Sequence, residues 1–178
     1  LALLIATMVV IEVLSQTIFA AFVLPIKPTL THIPVIIASI VYGPKIGAYF
    51  GGFMGIMSIV RNTIIYTVSS YLFSPFVEGG TWASAVIAIV PRILIGIFPY
   101  FVYKLLQNRL GLILSGVLGA FTNTFFVLIG IYFLIPNFYT AGGKTLMATI
   151  FTTNSIAEMI IAGLITLSIT PVLLRLKK

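Results

Sequence analysis

Apolar residues run along this chain in six blocks, with proline, glycine and charge marking the breaks between them. The first block covers residues 1–24 and stops at "LPIKPT", where Pro25 and Pro28 deny a helix its next hydrogen bonds. That run is too long for a signal-peptide core and reads as a membrane span, and the opening at Leu1 leads us to expect a natural start further upstream. The second block, 33–42, is ten residues long. It is short for a crossing and predicts a tilted or partly buried helix, followed by a tight turn at "GPK". Blocks at 46–66, 83–104, 112–135 and 146–174 complete the series, and the last three breaks are "TVSSYLFSPFVEGGTW", "LQNRLG" and "NFYTAGGKT". A transmembrane helix needs roughly 20 apolar residues to cross about 30 Å of hydrocarbon. The pattern therefore predicts an all-α integral membrane protein, with residues 1–178 forming one transmembrane domain of six helices and both termini on one side.

Composition agrees with this reading: 60% of residues are hydrophobic and 7% charged, whereas charged residues make up about a quarter of a soluble domain. The charges also orient the chain. Lys45, Lys104, Arg109, Arg175, Lys177 and Lys178 fall on the side of the termini, while the opposite loops carry Lys27 and Lys144 together with Glu78. The positive-inside rule then predicts cytoplasmic termini, and the formal net charge of +7 is orientation charge. No solvated basic face with stacking aromatics points to nucleic acid.

Small residues indicate where helices touch. Gly47, Gly51 and Gly55 recur every four residues and predict close packing inside the bundle. Gly116 and Ala120 form a shorter stripe, as do Ala2 and Ala6, which suit either internal packing or a docking face for a partner.

Polar residues inside apolar spans are expensive and direct attention to function. In "TWASAVIAIVPRILIGIFPYFVYK", Arg92 lies ten residues from Trp82, about 15 Å along a helix and near the midplane. Pro91 cannot donate a backbone hydrogen bond and leaves a carbonyl free beside it. Asn123 in the fifth span, and Asn154 with Glu158 on one face of the sixth, fall at comparable depth. Arg61 and Asn62 near the outer end of span three, His32 at the start of span two, and Trp82 complete the candidate set. Two readings of Arg92 stay open. It forms a buried ion pair with Glu158 or with Glu12, or its planar fork receives the carboxylate of a small ligand while the asparagines orient amide or hydroxyl groups. His32 reads first as a helix-start residue. The loop aromatics Tyr66, Tyr71, Phe73, Phe76, Trp82, Phe138 and Tyr139 read first as an interfacial belt and second as a lid.

Catalysis has little to work with. Three carboxylates on different elements, one histidine and no cysteine supply neither a metal cluster nor a nucleophile set, so we expect no enzyme and no cofactor in this chain. There is no phosphate-binding loop of the GxxxxGK[ST] type and no evident inverted repeat.

The run "THIPVIIASIVYGPKIGAYFGGFMG", followed by "FSPF", "EGG" and "VPRILIG", resembles the pantothenate-type substrate-binding subunits, or S components, of energy-coupling factor (ECF) vitamin transporters. The motifs extend from about Ala2 through Gly96, and the remainder matches in topology. This resemblance implies a six-helix prokaryotic plasma-membrane subunit that captures a small vitamin from outside, in a pocket between helices four to six covered by loops. It also implies that the Ala-x-x-x-Ala motif falling on Ala2 and Ala6 docks a transmembrane coupling subunit, and that two cytoplasmic ATPase subunits use ATP to drive the complex, whose S component topples in the bilayer. Pantothenate, with a carboxylate, an amide and two hydroxyls, suits Arg92 with Asn123, Asn154 and Asn62. Hydroxymethylpyrimidine or pyridoxine would need only the asparagines, and a stand-alone channel or solute carrier remains the alternative outside the class.

Overall fold

The computed structural model describes residues 2–20, 30–67, 69–135, 138 and 155–177. Its helices are α1 (Ala2–Ala20), α2 (His32–Tyr42), α3 (Pro44–Ile64), α4 (Trp82–Ile95), α5 (Phe98–Leu105), α6 (Arg109–Leu134) and α7 (Ile156–Leu176), with one 3-10 turn at Ser70–Leu72 before α4. The architecture is the all-helical one expected. Trp82–Leu105, Arg109–Leu134 and Ile156–Leu176 are long and apolar enough to cross a membrane, and shorter apolar helices accompany them.

The short second block is the axis of the bundle. Every residue from His32 to Val41 is buried, and among the described residues α2 touches each of the other six helices. A helix that is apolar all round is one that meets protein on every side, so α2 has no need to match the bilayer thickness. Gly43 turns the chain back into α3 with φ +97°, a backbone conformation that costs glycine little, and Pro44 opens α3 at a position where its missing N–H is harmless. At the other end of the chain Lys177 Nζ donates to the Val41 carbonyl at 2.6 Å and lies 5.5 Å from the Tyr42 ring centre. A cation there suits the negative end of α2.

The glycine stripe packs α3 antiparallel on α4. A Cβ at Gly47 would run into the carbonyl oxygen of Gly96, one at Gly51 into that of Arg92, and one at Gly55 would lie 2.9 Å from the carbonyl oxygen of Ala88. The stripe thus works inside the bundle, as expected. Gly116 likewise seats α6 against the backbone of Ala162 and Gly163 in α7, while Gly119 makes room for Ile36 of α2 and Pro99 of α5.

The fourth span differs from the continuous helix expected over 83–104. It breaks at Gly96 and Ile97 into α4 and α5. Pro99 has no N–H to continue the α4 ladder and suits the first turn of a new helix, while Gly96 at the break packs against the backbone of Gly47. The sixth span is described only from Ile156, so its expected start at 146 lies outside the described residues.

These contacts separate two neighbouring glycines. At Gly52 an added Cβ would meet only a side-chain carbon of Ile93, at 3.9 Å. Gly51→Ala is expected to destabilise the protein by about 1–3 kcal/mol through overpacking, whereas Gly52→Ala should be neutral or stabilise by up to about 1 kcal/mol. Thermal unfolding in detergent followed by circular dichroism checks this. Equal midpoints for the two variants would contradict the proposed α3–α4 contact.

Candidate functional site

Arg92 sits three turns into α4 and is 6% exposed. Its immediate partner follows from its neighbour in sequence. Pro91 lacks the N–H that would bond to the carbonyl four residues back, that of Ile87, and Arg92 Nη1 donates to that same Ile87 carbonyl at 2.8 Å. The second partner comes from the loop before α4, where the Phe73 ring centre lies 5.2 Å from the guanidinium carbon, within cation–π range. These contacts leave most of the five guanidinium donors unused, and Nε is buried with no hydrogen-bond partner.

The ion pairs considered for Arg92 do not form among the described residues. Glu12 instead accepts from Arg61 Nη1 at 2.8 Å and from the Thr31 hydroxyl at 2.5 Å. It thereby ties α1 to the segment opening α2 and to the last turn of α3. Arg61 wins because it projects towards α1, while Arg92 projects under the loop towards Phe73. Glu158, buried in the first turn of α7, lies within electrostatic reach of Arg92, as do Glu12 and Arg61, but not within ion-pair distance.

Asn123 is 8% exposed, and its Oδ1 is a buried acceptor without a hydrogen-bond partner. α6 runs antiparallel to α4 and α7: Gly130 faces Ile87 of α4, and Gly116 faces Ala162 of α7. These registers bring Arg92, Asn123 and Glu158 to neighbouring levels, where α6 packs on both α4 and α7. An unfilled cationic donor and an unfilled amide acceptor therefore share one buried layer. Buried polar groups left so are costly, and a ligand bearing a carboxylate and an amide or hydroxyl donor would satisfy both.

The remaining candidates divide. Asn62 is buried but spent on its surroundings, donating to the Ser58 carbonyl at 2.8 Å and accepting from Ser70 Oγ at 3.4 Å. His32 is fully buried at the start of α2. Trp82 is 77% exposed and packs edge-on against Phe76, so it stands outside the buried layer. Ala2 and Ala6 are exposed on α1. Asn154 lies outside the described residues, as does Tyr139.

The belt reading of the aromatics needs correction for part of the set. Tyr66, Phe76 and Trp82 are exposed and suit a belt. Phe138 is buried, and Tyr71 and Phe73 pack with it on a cluster that includes Leu72, Ile87 and Ile131. The loop is held inwards by its own polar groups: Ser84 Oγ accepts from the Thr81 amide at 3.1 Å and donates to the Tyr71 carbonyl at 2.6 Å, and the Thr63 and Ser74 hydroxyls bond at 2.7 Å. Gly79 takes a positive φ, and a Cβ at Gly80 would strike the Ser74 and Val77 carbonyls, which explains the "EGG" glycines. Of the loop aromatics it is Phe73 that reaches the arginine, and the carbonyl freed by Pro91 is that of Ile87. The Pro91-Arg92 pair carried the signal for Ile87, since counting back four residues from the proline names it.

Over 97% of its length the chain is 43% identical to the pantothenic acid transporter PanT of Lactococcus lactis subsp. cremoris (strain MG1363), covering 91% of that protein. The family model described as "ECF transporter, substrate-specific component" matches residues 1–170. The chain belongs to the substrate-specific components of ECF transporters.

Proposed function

We propose that this substrate-specific component captures pantothenate from outside the cell and presents it inwards with an energy-coupling module. The observation that carries this reading is the unfilled guanidinium of Arg92, buried at a level neighbouring that of the unfilled amide oxygen of Asn123. The arginine receives the vitamin's carboxylate, and Asn123 Oδ1 accepts from its amide or a hydroxyl. Phe73 and the loop around it cover the site from the outer side, and Asn154 and Glu158 contribute from α7 and the segment before it. The name of the Lactococcus relative supports the same vitamin.

Transport requires partners. Ala2 and Ala6 on the exposed face of α1 dock a transmembrane coupling subunit, and two cytoplasmic ATPase subunits bind and use ATP, so that this chain itself carries no cofactor. The protein resides in a prokaryotic plasma membrane with cytoplasmic termini, an orientation supported by the cluster of cations at the starts of α3 and α6 and the ends of α5 and α7.

Titration calorimetry of the purified protein with pantothenate tests the site. Arg92→Ala should weaken binding by roughly two to three orders of magnitude, the scale of breaking a buried charge pair. Asn123→Ala should cost about tenfold, the scale of one hydrogen bond. If Arg92→Ala binds as tightly as the wild type, or the wild type gives no heat, the ligand is a neutral vitamin such as pyridoxine or hydroxymethylpyrimidine and the carboxylate assignment fails.

Docking is tested separately. Ala2→Trp and Ala6→Trp should leave pantothenate affinity unchanged while sharply reducing uptake by cells and co-purification with the ATPases. Undiminished uptake would remove α1 from the docking role and favour a carrier that works alone.

A further inference from the structure

We propose that the basic end of the bundle carries a site for the headgroup of an anionic phospholipid, in the cleft between α5, α6 and α7. A cavity of about 400 Å³ opens there, with Tyr103, Arg109, Leu112, Leu167, Leu174 and Arg175 among its lining residues. Arg109 is the first residue of α6, and Arg175 lies in the last turn of α7. The antiparallel seat of Gly116 on Ala162 and Gly163 brings these two ends together.

Charge selects the ligand. Among the described residues neither guanidinium makes a hydrogen bond or an ion pair. The chain cannot neutralise them with its own acidic side chains, for it has three: Glu12 is engaged by Arg61, Glu78 lies in the connection before α4, and Glu158 is at the opposite end of α7. Lys104 and Lys177 add positive charge at the same end, and Arg109 stands at the positive end of the α6 dipole.

The walls select a lipid over a free anion. Leu112, Leu167 and Leu174 line the cleft beside the arginines, and the same two helix ends carry exposed apolar side chains, Leu110 and Leu114 on α6 and Val172 and Leu176 on α7. In a membrane protein that surface faces acyl chains. A phosphodiester held between Arg109 and Arg175, with its chains lying along those leucines, uses both features of the cleft. Inorganic phosphate would use only the charge. Basic pockets between transmembrane helices near a membrane surface suit anionic headgroups in this way.

Native mass spectrometry of the full chain in mild detergent tests the proposal, with phosphatidylglycerol or phosphatidylcholine titrated in. One phosphatidylglycerol should be retained in preference to phosphatidylcholine, with affinity falling roughly fivefold in R109Q and again in R175Q. Lys45→Gln, which removes a cation from the first turn of α3 outside the cleft, should retain the lipid as the wild type does. Thermal unfolding of each variant shows that it is folded, and R109K/R175K should keep the preference. Equal retention of the two lipids, or an equal loss in Lys45→Gln, would overturn the site. So would displacement of the lipid by millimolar inorganic phosphate, which would mark a small-anion pocket. Variants that keep the lipid but no longer co-purify with the ATPases would reassign the cleft to a protein contact.

Discussion

The hydrogen bond from the Arg92 guanidinium to the Ile87 carbonyl is the contact around which the polar half of this bundle is organised. A permanent charge deep in a membrane bundle must be compensated locally, because neither water nor lipid will do it. Proline supplies the first compensation by withholding a backbone donor and exposing a carbonyl one turn away. Phe73 supplies the second, and it reaches the arginine because the loop before α4 is folded inwards by Ser84, Ser74 and two glycines. What is left over is an unfilled Nε close in depth to an unfilled amide oxygen.

That arrangement depends on backbone proximity elsewhere. Gly51 lies directly against the Arg92 carbonyl, so α3 backs the helix that carries the arginine with no side chain intervening. α2 stands behind the other helices as a buried axis, with a lysine from the end of the chain holding its last turn. The core is therefore built from close helix contacts at small residues and from branched aliphatic side chains on α2, and the polar layer is suspended between α4, α6 and α7. In lipid, where burying apolar surface gives helices little reason to associate, such contacts carry the packing.

α1 is held differently. Glu12 joins it to Thr31 and Arg61, and Met8 and Ser15 are buried, but Ile5, Val9, Val10, Val13 and Leu14 are exposed. An outlying helix fastened mid-span and exposed at its small-residue end is suited to a role at an interface. The same ion pair also accounts for the fate of Arg92: once Glu12 is committed to Arg61, it is withdrawn as a counter-ion from the arginine beneath the loop.

How much was legible beforehand follows from which forces act locally. Apolar periodicity, the stops at proline and glycine and the cations at one end determine the helical blocks and their approximate limits, because hydrogen bonding in lipid and the cost of burying charge act on the chain wherever it lies. They also single out Arg92, Asn123 and Glu158, since a polar residue in such a run is conspicuous without any structure. Partnership was not legible. Whether Glu12 meets Arg61 or Arg92, whether Phe73 joins a belt or covers an arginine, and whether residues 83–104 form one helix or two depend on the registers between helices and on where a loop folds. Those are set by backbone contacts between residues far apart in sequence, such as Gly47 with Gly96 and Gly116 with Ala162. Only the tertiary structure decided them, because the side chains that would compete for one partner are equally plausible until distance separates them.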